Sequence, residues 1–282
     1  MRRKAIVLAV AVVLIAAALG LSACGKKPKN EPLAPQVSPP AIREAGTLRV
    51  GVDLDYPPFA GQDNGQKVGI DIDVASALAE RLGLKVVLVD VPQSEAATAL
   101  ADGTADVVMS VPLDQAAEGK IAYGGSYISD APVLFARVAS GSVEPSLTIQ
   151  RLGENTVGAQ YGSPAFWYLQ DQLGEQYVKG YSTLGEPLDM LVDGSLKIAA
   201  GDAIIGSYIA RDLDNIRIVG QLKPAGLIGI GVRSDNAALQ EAVRSEIDAL
   251  SADGVLTTIR KKWVADLPKL TLPAAAETSA TP

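Results

Sequence analysis

The chain has no histidine and only one cysteine, and these absences exclude several classes of functional site. Without histidine there is no Ser-His-Asp or Cys-His nucleophile, no His-ligated metal and no histidine pH switch. A single cysteine forms neither an intramolecular disulfide nor a cysteine-rich zinc site. The net charge of −7 argues against nucleic-acid binding, which requires a basic surface to neutralise phosphates.

The first 24 residues indicate export from the cytoplasm. A cationic start, Met1 to Lys4, precedes an apolar run from Ala5 to Leu19, which is typical of a secretory signal. Leu21-Ser22-Ala23-Cys24 resembles the bacterial lipobox, which implies a signal peptide at 1–23, lipid on Cys24 and an extracytoplasmic protein tied to the cell membrane. An uncleaved anchor is the alternative, because the run approaches the ~20 residues that span a bilayer.

The rest of the chain divides into a folded body and two polar ends. Hydrophobic residues make up 48% of the sequence, enough for a large core. Strand patterns alternate with helix patterns, which predicts an α/β fold with mostly parallel sheets and flanking helices. The pattern restarts near Asn155, which predicts two lobes joined by two crossing strands. The expected boundaries are 24–46 for a proline-rich membrane tether, 47–138 plus 225–267 for lobe 1, 143–222 for lobe 2 and 268–282 for a flexible tail.

Two helix starts are indicated by their capping residues. Asp71 is positioned to cap a helix that runs to Leu82, and Ser163 precedes Pro164 at the favoured first position of a second helix.

Several short motifs follow one another along the body. They are Leu48-Arg49-Val50-Gly51-Val52-Asp53, Tyr56-Pro57-Pro58-Phe59, Gly69-Ile70-Asp71-Ile72-Asp73, Ala105-Asp106-Val107-Val108-Met109-Ser110, Val157-Gly158-Ala159-Gln160 and Ala252-Asp253-Gly254. In this order they resemble the amino-acid-binding branch of bacterial periplasmic solute-binding proteins. The resemblance implies a two-lobed fold that closes on a small-molecule ligand, an ABC transporter permease as partner, a monomer, no cofactor and no catalysis.

The resemblance also implies ligand-binding residues. Asp202 matches the aspartate that holds the ligand's α-amino group, although it also precedes a helix and could be an N-cap. Tyr56 and Phe59 match aromatic positions that wall the pocket, and the alternative is that they pack into the local core. Asp53 matches a position that meets a cationic side chain, and it could instead face water.

Three further candidates have equally ordinary alternatives. Ser110 matches a ligand-binding serine at the end of a strand, but a serine there could only satisfy a turn. Ser163 lies where the family contacts the ligand carboxylate, and its alternative is the N-cap. Tyr161, next to it, is a weaker candidate.

The sequence departs from the family at the position that binds the ligand's carboxylate. The expected arginine falls on Ala117 or Glu118, and neither can replace a bidentate guanidinium. Lys120 could substitute only through a rearranged loop, and Gln93 occupies the place of an expected aromatic. Three alternatives follow. The ligand is an amino acid held by serine hydroxyls and backbone amides, or it is a cationic or neutral solute without an α-carboxylate. In the third alternative the protein has lost ligand binding.

Two other functions are compatible with the sequence. Loss of binding would leave a sensory or structural lipoprotein without transport. Some relatives with this fold are envelope dehydratases acting on prephenate or arogenate, for which Glu118 or Glu186 is the candidate acid.

Overall fold

The computed structural model describes residues 33–116, 119, 121–139, 146–153 and 155–273. The predicted signal peptide, Cys24 and the first part of the predicted tether lie outside the described residues. Among the described residues, no helix has the length and apolar character needed to cross a bilayer.

The first lobe is built on a five-stranded sheet. Its strands are β1 (Thr47–Val52), β4 (Lys85–Asp90), β5 (Val107–Pro112), β6 (Ile121–Asp130) and β12 (Gly226–Arg233), in the order β4-β1-β5-β12-β6. A hairpin of β2 (Gly61–Asp63) and β3 (Gln66–Val68) precedes the first helix. The helices of this lobe are α1 (Ile70–Arg81), α2 (Ala96–Ala101), α3 (Leu113–Ala116), α8 (Ala237–Ala252) and α9 (Val255–Val264).

The second lobe repeats this plan with its own five-stranded sheet. Its strands are β7 (Pro132–Arg137), β8 (Val157–Gln160), β9 (Val178–Tyr181), β10 (Ile198–Asp202) and β11 (Ile216–Gln221), in the order β11-β7-β10-β8-β9. Its helices are α4 (Ile149–Leu152), α5 (Pro164–Leu173), α6 (Gly185–Asp193) and α7 (Ala203–Ala210). Single 3₁₀ turns lie at Gln93–Glu95 and Glu175–Tyr177. The predicted α/β class with two lobes is confirmed. The expectation of mostly parallel sheets is wrong, because four of the eight strand pairings in the two large sheets are antiparallel: β12 runs against β5 and β6, and β7 runs against β10 and β11.

The boundary between the lobes differs from the prediction. We expected 132–137 in lobe 1, but β7 pairs with β10 and β11, and Phe135 lies opposite Ala199. The chain therefore crosses between the sheets at Asp130–Pro132 and returns between Gln221 and Gly226. Strand β6 ends at Asp130 and β7 begins at Pro132, so no loop separates the two sheets along the chain at this crossing.

Part of the predicted tether belongs to the folded body. Val37 and Ile42 are buried in the core of the first lobe, and Gln36 N donates to Leu82 O at 3.0 Å. The segment turns at Pro39-Pro40, where Ala41 N donates to Ser38 O at 2.9 Å, and its apolar side chains pack against the lobe. The expectation that the whole of 24–46 is a tether is therefore wrong for its described part.

The beginning of the predicted tail is also packed. After α9, residues 265–273, which we call the C-terminal strap, run onto the second lobe. Leu267 contacts the buried clusters of both lobes, while Leu270 and Leu272 pack against the second. Ala225 N donates to Thr271 O at 2.8 Å. We expected 268–282 to be a flexible tail. That expectation overlooked the apolar residues that lie between the prolines at its start.

Candidate functional site

The two sheets bring the ends of β1 and β10 together with the start of α7. Asp53 follows β1, and its Oδ2 accepts a hydrogen bond from Gln93 N at 3.1 Å. Tyr56 N donates to Asp53 O at 3.3 Å in the turn that follows. Ile204, in the first turn of α7, is completely buried among residues of the first lobe. Carboxyl ends of strands and the amino end of a helix from the two lobes therefore meet where the lobes contact each other, a region that we call the cleft. This is the usual ligand location in open α/β sheets.

Tyr56 lies among carboxyl groups. Its pKa is raised to about 12, first by burial and then by the negative charges of Asp130, Asp202, Asp71 and Asp53. These four aspartates come from separate parts of the chain and belong to both lobes. The fold thus concentrates acidic groups around one aromatic ring that is half-buried at the cleft.

Asp130 and Asp202 flank the start of α7. Oδ1 of Asp130 accepts hydrogen bonds from Ala131 N at 2.8 Å and Ile204 N at 3.1 Å, so Asp130 caps this helix. Burial raises the pKa of Asp130 to about 7, and the charge of Asp202 adds to the shift. Burial also raises the pKa of Asp202. Asp202 is the N-cap residue but makes no capping hydrogen bond with its side chain, so its carboxylate remains available to a ligand.

No basic group offsets these carboxylates within the described part of the chain. The ion pairs found there are Arg81–Asp253, Arg211–Asp212, Arg233–Asp235, Lys261–Asp266 and Lys262–Asp73. None of them includes an aspartate that surrounds Tyr56. Carboxyl groups that have raised pKa values and no basic partner, as Asp130 and Asp202 do, are typical of functional sites. The positions expected to hold the family's arginine, Ala117 and Glu118, and Lys120, lie outside the described residues.

A buried hydrogen-bond network supports the cleft from below. Asp71 is 1% exposed and accepts hydrogen bonds from Tyr127 Oη and, at 2.8 Å, from Ser110 Oγ. Ser110 N donates to Tyr127 Oη at 2.9 Å. Burial raises the pKa of Asp71 to about 6, although both hydroxyl donors lower it. The prediction that Asp71 caps α1 is wrong: Gly69 is the N-cap residue, and Asp71 points into the core.

Two predicted site residues are buried. Phe59 has no exposed surface and stacks on Tyr56 with ring centroids 5.0 Å apart. It packs against Tyr56 in the core of the first lobe, as the alternative describes, and its contact with a ligand stays a prediction. Ser110 is 5% exposed, and its hydroxyl already donates to Asp71. Contact between Ser110 and a ligand therefore stays a prediction.

The second-lobe candidates lie at the start of α5. Ser163 Oγ accepts a hydrogen bond from Phe166 N at 3.2 Å, so the N-cap alternative describes what is observed. Tyr161 is 67% exposed, and its ring lies 5.1 Å from Phe166 and 5.9 Å from Trp167. Their contact with a ligand stays a prediction, as it does for Asp53, Tyr56 and Asp202.

Sequence reasoning missed Asp130 and Tyr127 and misjudged Asp71. The burial of Asp71 could have been predicted from the sequence. Asp71 lies three, four and seven positions before the apolar residues Val74, Ala75 and Leu78, so it shares their helix face. Tyr127 and Asp130 stand in an extended run without a motif, and only the pairing of β6 shows where they point.

A two-lobed α/β protein with an acidic interlobe cleft and two crossings has the architecture of a solute-binding protein. The sequence model of one family, described as bacterial extracellular solute-binding proteins, family 3, matches residues 48–266. The chain therefore belongs to this family of extracytoplasmic proteins.

Known proteins resemble the chain over most of its length. The L-cystine-binding protein TcyJ of Escherichia coli K12 is 27% identical over 79% of this chain and 84% of its own. A solved ancestral cationic amino acid solute-binding protein is 26% identical, with a TM-score of 0.66 over 78% of this chain and 96% of its own. A solved ancestral amino-acid-binding protein, described as a precursor of cyclohexadienyl dehydratase, is 25% identical, with a TM-score of 0.54 over 78% and 95%.

Proposed function

We propose that this protein binds a positively charged amino acid or a related amine between its lobes and delivers it to an ABC transporter permease. Asp202 and Asp53 bind the cationic groups, and Tyr56 lies against the bound solute. The protein acts as a monomer attached to the membrane through lipid on Cys24. Relatives named for cystine and for cationic amino acids support an amino acid or amine as the ligand.

The acidic cleft is the observation that carries this proposal. Four aspartates act on Tyr56, and no lysine or arginine of the described residues pairs with any of them. A ligand ammonium would supply the missing charge, because charge-assisted hydrogen bonds are stronger than neutral ones. Contacts made by both lobes exist only in the closed form, so binding shifts the equilibrium towards closure.

The proposal does not include catalysis. Prephenate carries two carboxylates, and a cleft walled by aspartates without a paired cation repels a dianion. Glu186 is not a cleft acid, since its Oε1 accepts a hydrogen bond from Thr183 N at 3.0 Å, and its own N lies 3.4 Å from Thr183 Oγ1. This reciprocal pair lies in the turn that leads into α6, next to the N-cap residue Leu184. Glu118 lies outside the described residues. Incubation with prephenate or arogenate should give no product, and turnover would contradict this part of the proposal.

The test is calorimetry with a panel of L-lysine, L-arginine, L-ornithine, putrescine, L-cystine, L-glutamine and L-glutamate. Positively charged members should bind, and L-glutamate should not. Asp202→Asn should weaken binding of the tightest ligand about tenfold or more, because it removes one charged hydrogen-bond partner. Binding of glutamate alone, or of no member of the panel, would contradict the proposed function.

A matched control is available on the same lobe. Asp189 is an exposed aspartate on α6. Asp189→Asn changes the net charge by the same amount as Asp202→Asn, so it corrects for long-range electrostatics. Its affinity should remain that of the unmodified protein.

A further inference from the structure

Asp130 connects the two lobes at the cleft. It is the last residue of β6 in the first sheet, and its carboxylate accepts hydrogen bonds from the backbone of Ala131 and Ile204. Ile204 lies in the first turn of α7, in the second lobe. A side chain from the crossing strand therefore caps a helix that starts beside Asp202.

Capping does not require a charge here. An asparagine oxygen caps helices as well as a carboxylate does. No side chain of the described residues donates to Asp130, and no basic residue among them pairs with it. Asp130 is nevertheless only partly covered, and the charges of Asp130 and Asp202 both act on Tyr56. An acidic cap beside a second carboxylate lowers stability unless a cation joins the pair.

Building on the proposed function, we propose that Asp130 binds the ligand directly and that Asp130 and Asp202 together hold one ammonium group. A primary ammonium has three N–H donors and no acceptor. It matches two carboxylates and the phenol oxygen of Tyr56. Asp130 would thereby select solutes with a primary ammonium group over neutral or quaternary ones, and it would couple ligand binding to the strand that crosses between the lobes.

The experiment separates charge from capping with two variants at one position. Asp130→Asn keeps an oxygen for Ala131 N and Ile204 N but removes the charge, whereas Asp130→Ala removes both. Affinity is measured by calorimetry for the tightest cationic ligand of the panel, at pH 6 and pH 8, with Asp189→Asn as the control. Far-UV circular dichroism and a melting curve establish that each variant is folded.

We expect Asp130→Asn to weaken binding by about 10- to 100-fold while the melting temperature is kept or raised. The unmodified protein should bind more tightly at pH 8 than at pH 6, because Asp130 must release a proton to receive the ligand. Tyr56 and Asp202 face Asp130, and the Asn variant should lose most of this pH dependence.

Two results would overturn the inference while leaving the proposed function in place. One is an Asp130→Asn variant with unchanged affinity beside a weakened Asp130→Ala variant, which would make Asp130 a cap only. The other is a primary amine binding no more tightly than its N-trimethyl analogue. Failure of every compound in the panel to bind would overturn both proposals together.

Discussion

At the scale of single residues, the network of Asp71, Ser110 and Tyr127 fixes the floor of the cleft. The Tyr127 hydroxyl donates to Asp71 and accepts from Ser110 N, so both of its hydrogen-bonding roles are used in a buried site. Such networks are costly when only partly satisfied. The network also restrains Ser110, which has the positive φ of 57° that non-glycine residues rarely adopt.

Tyr127→Phe should therefore lower the free energy of unfolding by about 1–3 kcal/mol, because it leaves Oδ1 of Asp71 and the buried N–H of Ser110 without the Tyr127 hydroxyl as partner. Urea denaturation followed by fluorescence gives this value. Tyr168→Phe is the matched control, since Tyr168 is only partly buried and its hydroxyl makes no hydrogen bond with another described residue. Equal stabilities of the two variants would show that the Tyr127 hydroxyl contributes nothing.

Asp130 also predicts how stability depends on pH. Its pKa is about 7 in the folded protein, raised by burial and by Asp202, against 3.8 for an ordinary aspartate. Between these values the folded state holds a proton that the unfolded state has released, so the free energy of unfolding falls as pH rises towards 7. Asp130→Asn should melt close to the unmodified protein near pH 4 and several degrees higher at pH 8.

Melting curves from pH 4 to pH 8 test this, with Asp189→Asn as the control. Asp202 and Tyr56 face Asp130, and the raised pKa of Asp202 adds a slope of the same sign that both proteins share. A difference in melting temperature that stays constant over this range would be inconsistent with titration of Asp130.

For single residues, the sequence motifs predicted where a residue lies in the fold better than they predicted whether its side chain is buried. The resemblance located Asp53, Tyr56 and Asp202 at the cleft because each follows a recognisable strand. It could not show that Phe59 and Ser110 are buried, since exposure depends on partners distant in sequence such as Tyr127.

At the scale of elements, substitutions of Ser163 distinguish a structural role of this serine from a ligand-binding role. Its Oγ caps α5, and Ala there should lower the free energy of unfolding by about 1 kcal/mol, whereas Gly should cost only a few tenths. A change of less than twofold in ligand affinity in both variants would limit Ser163 to this capping role. A tenfold loss of affinity in Ser163→Ala and Ser163→Gly would instead establish the ligand contact that the family resemblance implies.

The alternation of strands and helices was predictable because hydrophobic periodicity is a local signal. The lobe to which β7 belongs could not be predicted from the sequence. Asp130–Pro132 is a bend inside one extended stretch, and Phe135 carries no local mark of pairing with Ala199. Strand partners are decided by contacts far along the chain.

At the scale of the whole molecule, the C-terminal strap adds a link between the lobes beside the two crossing segments. The side-chain amide of Gln221 donates to Thr271 O at 2.9 Å and accepts from Thr271 N at 2.8 Å. Leu267 contacts both cores. The strap is thus attached to the returning crossing, so its hydrogen bonds and apolar contacts restrain the joint about which the lobes move.

A chain ending at Asp266 should therefore be less stable than one ending at Pro273, which retains the strap and serves as the control. Three half-buried leucines are lost, and burial of one leucine contributes about 1.5–3 kcal/mol when complete, so a loss of about 2–4 kcal/mol is expected. Without the strap, the ligand-free lobes should also sample wider separations, which X-ray scattering detects as a larger radius of gyration.

Equal unfolding free energies and equal scattering profiles for the two chains would mean that residues 267–273 only rest on the surface. A loss of stability with unchanged scattering would assign the strap to the second lobe alone, because a restraint on the joint must change the distribution of lobe separations when it is removed.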